Sequence, residues 1–256
     1  MSNYSFEQFM EIIRKLRSKD GCPWDREQTH ESLKPCLMEE CYETIEAINN
    51  RDNENLCEEL GDILLQVALH SVIAEEMKEF EVDDVISMVA EKMIRRHPHV
   101  FGNEVVEDSQ GVIKNWEEIK KKEKKATNIA EELLEVPKAF PAMLRAEKIQ
   151  KKAAKTGRDF TDSKQIFETI REELKVLEEA CESGNIGNMS DGYGEVLFSM
   201  INLSRFLQLN AEYSLTNATN KFINRFVDVF ALAKSRGHNL CELSPTEQDV
   251  LWREVK

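Results

Sequence analysis

The sequence predicts an all-α protein built as a tandem repeat of one helical module. Strand patterns are almost absent along the 256 residues, whereas helix start and stop signals recur throughout. Four segments of the first half also reappear, in the same order, in the second. MEECYET (38–44) is echoed by REELKVL (171–177), ELGDILLQVAL (59–69) by GYGEVLFSMIN (192–202), EKMIRRH (91–97) by NKFINRF (220–226), and WEEIK (116–120) by WREVK (252–256). The first two echoes share a single spacing of 133 residues, 38 to 171 and 59 to 192.

The elements follow from their punctuation. Ser5 with Gln8 forms a capping box that starts the first helix, and GCPW (21–24) breaks it. The run EELGDILLQVALHSVIA (58–74) is apolar on most faces, with Glu59, Asp62 and Gln66 confined to one narrow side, which predicts a largely buried helix. RRHPHVF (95–101) breaks a later helix and Ser109 restarts one. The charge run KKKEKKATNIAEELLEVP (120–137) reads as a solvated linker, with Pro141 opening the next helix. Near the end, Ser244, Pro245 and Glu247 supply an N-cap, a first-turn proline and a third-position acid. About nine or ten helices are expected from these signals. They divide the chain into a first module (1–125), a linker (126–140) and a second module (141–256).

Composition narrows the function. With 41% hydrophobic and 32% charged residues the chain can bury a sizeable core. No run of about 18 apolar residues is present to span a bilayer, and the opening MSNYSFEQFMEIIRKLRSKDG is amphipathic, so a cytoplasmic location without membrane association is expected. The six cysteines show no C-x-x-C pairing and fit reduced structural thiols. A net charge of −14 argues against a nucleic-acid surface while leaving room for a local basic cluster that holds phosphate.

The chemistry lies in the acids. Residues three apart on a helix share a face, so Glu40 with Glu43, and Glu59 with Asp62, form two carboxylate pairs. RDN (51–53) stands between the helices that carry them. In an antiparallel hairpin centred near residue 51, Glu43 and Glu59 lie at one level and Glu40 and Asp62 at the next, so the pairs face each other. Four carboxylates meeting inside a helix pair repel strongly unless a hard divalent cation sits among them, and Mg2+ takes oxygen ligands while keeping some waters. Glu39 is either an auxiliary base or a surface residue. A carboxylate-bridged di-iron bundle is disfavoured, because the E-x-x-H motif it needs is replaced by Glu43 and Asp62 at the third positions. His97 and His99 flank Pro98 without metal-ligand spacing and are expected to shape a turn.

The ordered set formed by Glu39, Glu40 and Glu43, then Glu59 and Asp62, then KMIRRHPHVF and NWEEIK resembles the MazG family, nucleoside triphosphate pyrophosphohydrolases of the all-α NTP pyrophosphatase superfamily. The likeness covers nearly the full length and includes the tandem arrangement. It implies Mg2+-dependent cleavage, with Mn2+ as a substitute, between the α and β phosphates of a nucleoside triphosphate, giving a monophosphate and pyrophosphate. It further implies a homodimer that completes a four-helix core, and a housekeeping role toward nucleotide pools. In that setting Glu40, Glu43, Glu59 and Asp62 are the expected metal ligands, and Glu39 or Glu43 the group that assists deprotonation of water. Lys92, Arg95 and Arg96 are placed to neutralise the polyphosphate, joined by Lys120, and Trp116 is either a base-stacking residue or a core anchor. In the second module Glu173 and Glu195 persist, but Val176 and Gly192 stand where the first has Glu43 and Glu59. Lys221, Arg225 and Trp252 remain, so this half is expected to be scaffold or a weak nucleotide site. The alternative to an enzyme is a non-catalytic, nucleotide-responsive helical adaptor.

Overall fold

The computed structural model describes residues 3–123, 128–157 and 159–255, and among these all regular structure is helical. The chain divides into two compact units, Met1–Lys124 and Lys125–Lys256. No helix among the described residues is long and apolar enough to cross a membrane.

In the first unit, α1 (Phe6–Arg17) begins on the reciprocal Ser5–Gln8 capping box. It buries Met10 and Ile13 against Leu33, Ala68, Leu69, Val72, Ile73 and Val82, which form the core of this unit. Its last residue, Arg17, is also buried, and every arm of its guanidinium is engaged. Nε and Nη2 donate to the Glu76 carboxylate at 3.0 and 2.8 Å, and Nη1 donates to the carbonyls of Asp25 and Gln28 at 2.5 and 3.1 Å. That saturation is what permits a buried cation. The turn after α1 requires glycine at 21, where a Cβ would come within 2.2 Å of the Leu16 carbonyl oxygen. Pro23 then opens the short α2 (Pro23–Glu27).

The element that positions the acids is the hairpin of α3 (Lys34–Asn50) and α4 (Asn53–Met77). Arg51 closes α3 in the left-handed region (φ 56°), and its N–H reaches back to the carbonyls of Ala47 and Ile48. Asp52 caps α4 by accepting from the N–H groups of Glu54 and Asn55. After α4 come α5 (Val82–Arg96), the four-residue α6 (Pro98–Phe101) and α7 (Ser109–Glu123). His97 ends α5 and also stands as the N-cap of α6, with Pro98 in the first turn, which accounts for the break at RRHPHVF.

The second unit contains α8 (Ile129–Leu134), α9 (Ala142–Ala154), α10 (Ser163–Ser183), α11 (Ile186–Phe206), α12 (Ala211–Ser235), a 3-10 turn at Leu240–Glu242, and α13 (Pro245–Glu254). Its α10–α11 hairpin turns on Gly184 (φ 70°) with Asn185 as the cap of α11, 133 residues after the Arg51–Asp52 turn. Ile166, Ile170 and Leu203 form one buried cluster here, and Val229, Ala233, Leu240 and Leu251 another. The capping box Ser244–Glu247 is present in both directions.

The segment expected to be a solvated linker, 126–140, differs from that expectation. Residues 126 and 127 lie outside the described residues, but the remainder holds α8, capped by Asn128, with Val136 buried and Glu132 paired to Lys152 of α9 at 3.1 Å. The apolar residues Ile129, Leu133 and Val136 give one face to pack, and the high charge around them concealed that pattern in the sequence. Short helices such as α2, α6 and α8 are also why the described residues hold thirteen α-helices rather than nine or ten. Elements this short have too few residues to show a period.

Candidate active site

Three acids converge in the first unit. Carboxylate oxygens of Glu40 and Glu43 on α3 and of Glu59 on α4 lie within 4.8 Å of one another. Glu59 is buried at 9% exposure, Glu40 is half-buried, and Glu43 is exposed. Burial, and then the charges of Asp62, Glu43, Glu59 and Glu39, push the Glu40 carboxyl above its ordinary range. Burial likewise raises Glu59, followed by the charges of Glu43, Asp62 and Glu58. Every charge that perturbs these two groups is another carboxylate, so the cluster has no compensating cation among the described residues.

This donor set fits a hard divalent cation. All donors are carboxylate oxygens, and oxygens ligating one Mg2+ at 2.0–2.1 Å stand at most about 4.2 Å apart. Small side-chain rotations therefore close the cluster onto an ion. Asp62 is near enough to act on both Glu40 and Glu59, although it is not among the three acids whose oxygens converge. Glu39 is exposed and acts on Glu40 only through its charge. One turn beyond Asp62, Gln66 is buried at 4% exposure and its Oε1 has no hydrogen-bond partner, so the polar side of α4 continues past the acids.

The basic residues form a second group. Arg95 Nε donates to Glu123 Oε1 at 2.6 Å, and Arg96 donates to Oε2 through Nη2 at 2.6 Å and Nε at 3.0 Å. The two guanidinium groups hold the Glu123 carboxyl down at about 2. The Arg96 guanidinium also lies 5.7 Å from the Trp116 ring centre, on α7, with His97 edge-on to the same ring at 4.9 Å. Lys92 is half-buried and makes no ion pair among the described residues, while Lys120 stands exposed one turn after Trp116. Glu123 was missed from the sequence because it sits in the 120–137 charge run. Its place seven residues after Trp116, two helical turns on the same face, was the available signal.

The second unit assembles differently. Glu173 is half-buried, Glu195 is exposed, and no third acid joins them among the described residues. Val176 is 53% exposed, and Gly192 is buried where the helices approach closely: a Cβ there would stand 3.3 Å from the Leu177 Cα. A side chain at 192 would need Leu177 to give way by a few tenths of an ångström. Arg225 lies 4.6 Å from the Trp252 ring centre, repeating the arginine-on-tryptophan contact of the first unit. Here, however, Nη2 donates to the Trp252 carbonyl oxygen at 2.5 Å, and Lys221 is exposed.

Comparison with known proteins gives a consistent outcome. Residues 28–101 match the MazG nucleotide pyrophosphohydrolase domain, a span that contains all the converging acids and the arginines of α5. The chain is 45% identical over 255 residues to the nucleoside triphosphate pyrophosphohydrolase/pyrophosphatase MazG of Thermotoga maritima, covering 98% of this chain and 95% of that protein. It is 34% identical over 253 residues to the nucleoside triphosphate pyrophosphohydrolase of Escherichia coli K12, covering 98% and 96%. A crystal structure of a mazG-related protein from Thermotoga maritima matches 45% of this chain and 98% of its own, at 34% identity and a TM-score of 0.39. With near-complete coverage by relatives of this identity, the chain belongs to the MazG nucleotide pyrophosphohydrolase family.

Proposed function

We propose that this protein hydrolyses nucleoside triphosphates between the α and β phosphates, releasing a nucleoside monophosphate and pyrophosphate, with Mg2+ or Mn2+ held by the first unit. The observation that carries this reading is the uncompensated cluster of Glu40, Glu43 and Glu59, joined electrostatically by Asp62. A bound divalent ion supplies the Lewis acidity that stabilises charge developing on the phosphoryl oxygens. In this reading Glu43, the exposed member of the cluster, accepts the proton of the attacking water, with Glu39 as the neighbouring alternative. Arg96 and Lys92, one turn apart on α5, neutralise the β and γ phosphates, with Arg95 and Lys120 adding charge. Trp116, with Arg96 over its ring, orients that guanidinium. Asp62 and Arg96 stand almost equally far in sequence from the Lys78–Glu81 turn, which supports the return of the basic end of α5 toward the acids of α4. Such a reaction suits a cytoplasmic role in clearing nucleotides from the pool. The decisive experiment is phosphorus NMR of the products formed from a nucleoside triphosphate with Mg2+: pyrophosphate and monophosphate are expected, and orthophosphate as the first product would overturn the reading.

The active form is proposed to be a homodimer. On α3, Met38, Tyr42, Ile45 and Ile48 are 51–55% exposed and follow one another along a single face. Leu60, Leu64 and Val67 are exposed on α4. An apolar stripe on both members of a two-helix hairpin is matched by the same stripe on a second copy, which gives a four-helix core. Ile45→Glu with Ile48→Glu is expected to halve the mass measured by light scattering. A wild-type protein that is already monomeric at micromolar concentration would contradict the dimer.

A further inference from the structure

We propose that Glu123 is an internal anion that occupies the phosphate-binding arginines and is displaced by the terminal phosphates of the substrate. The proposal rests on the reading of Arg95 and Arg96 as phosphate contacts. A single carboxylate spans both guanidinium groups, Oε1 on Arg95 and Oε2 on Arg96, through three N–H donors at 2.6–3.0 Å. Charge-assisted contacts of this kind are those a phosphate would make in the same place, since arginine presents the same planar fork to carboxylate and phosphate. The Arg96 and Glu123 side chains are only 16% and 20% exposed, so the pair is not an ordinary screened surface bridge.

Three features make the carboxylate a competitor rather than a permanent partner. One negative charge shared between two guanidinium groups leaves the trio net positive, so a further anion is still attracted. A terminal phosphate brings more charge and more acceptor oxygens than a carboxylate. Arg96 is also held independently by the Trp116 ring, so it keeps an anchor when the carboxylate leaves. The second unit supplies the contrast. Arg225 sits on Trp252 in the same way, but its Nη2 donates to a backbone carbonyl, an uncharged acceptor fixed to the helix that carries it. Only in the first unit is an arginine of this kind held by a carboxylate among the described residues.

Glu123→Gln keeps the side-chain size and removes the charge. It is expected to lower KM for a nucleoside triphosphate by about fivefold and to tighten pyrophosphate binding, measured by calorimetry with Mg2+, by the same factor. Binding of a nucleoside monophosphate, which lacks the terminal phosphates, is expected not to change. A KM that rises, or a pyrophosphate affinity that falls or stays the same, would show that Glu123 positions the arginines or is idle, and would overturn the proposal. Arg96→Ala separates this failure from that of the underlying reading. If Arg96→Ala leaves triphosphate and pyrophosphate affinities intact, the arginine is not a phosphate contact; if it weakens both while Glu123→Gln strengthens neither, displacement alone is wrong. Should Glu123→Gln fold poorly, Glu123→Asp, which draws the charge back by one methylene, is expected to shift both affinities in the same direction.

Discussion

Glu40→Gln with Glu43→Gln is expected to lower triphosphate hydrolysis by about 10³-fold or more, whereas Glu173→Gln with Glu195→Gln leaves most of it. The size follows from removing charge that holds the ion, since several kcal/mol of transition-state stabilisation pass through it and each 1.36 kcal/mol is tenfold in rate. The asymmetry follows from geometry. The first unit brings three carboxylates within 4.8 Å, whereas the second keeps a half-buried Glu173 and an exposed Glu195 with no third acid among the described residues. Mg2+ gives up its water reluctantly and is held by carboxylates together with substrate phosphates, so the converging acids of the first unit offer it a prepared set of oxygens that Glu173 and Glu195 do not. Initial rates of pyrophosphate release from the two double variants, assayed together at saturating Mg2+, check the prediction. The reverse ranking would place the catalytic centre in the second unit.

The unequal carboxylate sets of the two units were legible in the sequence; the close approach of the second hairpin at Gly192 was not. Counting outward from RDN placed Glu43 opposite Glu59, and the hairpin does turn at Arg51 and Asp52. The counting worked because helix period and turn position are local properties. The same counting marked Gly192 as a lost ligand, but only the packed hairpin shows how closely the helices approach there: a Cβ would stand 3.3 Å from the Leu177 Cα, so a side chain would need Leu177 to shift. Glu123 was hidden for a related reason. Its partners lie 27 and 28 residues away, so the pairing depends on how α5 and α7 pack, and a charge run shows none of that. The helix α8 was missed because the rule that equates charge with solvation ignores the three apolar positions that offset the ordering of Ile129–Leu134. The orphaned Oε1 of Gln66 lies between these cases: the sequence put Gln66 on the polar side of α4, but its lack of a partner is visible only in three dimensions.

Glu59→Gln is expected to stabilise the metal-free protein above about pH 5 while removing the stabilisation that Mg2+ confers. Burial and the neighbouring acids raise the carboxyls of Glu40 and Glu59 above their ordinary value of 4.5 in the folded protein. A raised carboxylate binds its proton more tightly folded than unfolded, so its contribution to stability is fully present below pH 4.5 and is lost as pH rises through the folded value. Glu123 titrates in the opposite sense, at about 2 in the folded state, so its contribution is present above 4.5 and fades only as pH falls toward 2. The two windows do not overlap; between 4.5 and neutrality the acid cluster favours the lower pH, while His70, held below its ordinary 6.5 by burial and by His30, favours the higher, so the contribution of the cluster is read from the difference between variant and natural protein. The amide introduced at position 59 carries no charge to repel Glu43, so the variant should lose less stability over that interval than the natural protein. Divalent ions reverse the ranking. At about 100 times its dissociation constant, Mg2+ adds about 2.7 kcal/mol to the protein that binds it, equivalent to about 5–10 °C in Tm for a chain of this size. The variant, with one of three converging carboxylates removed, should gain little. Thermal unfolding at about pH 4.5 and about pH 7.5, with and without Mg2+, reads all four corners. Equal Mg2+ stabilisation of both proteins would show that Glu59 is not a ligand, and a variant that is less stable than the natural protein without metal at the higher pH would show that its buried carboxylate has a partner other than an ion.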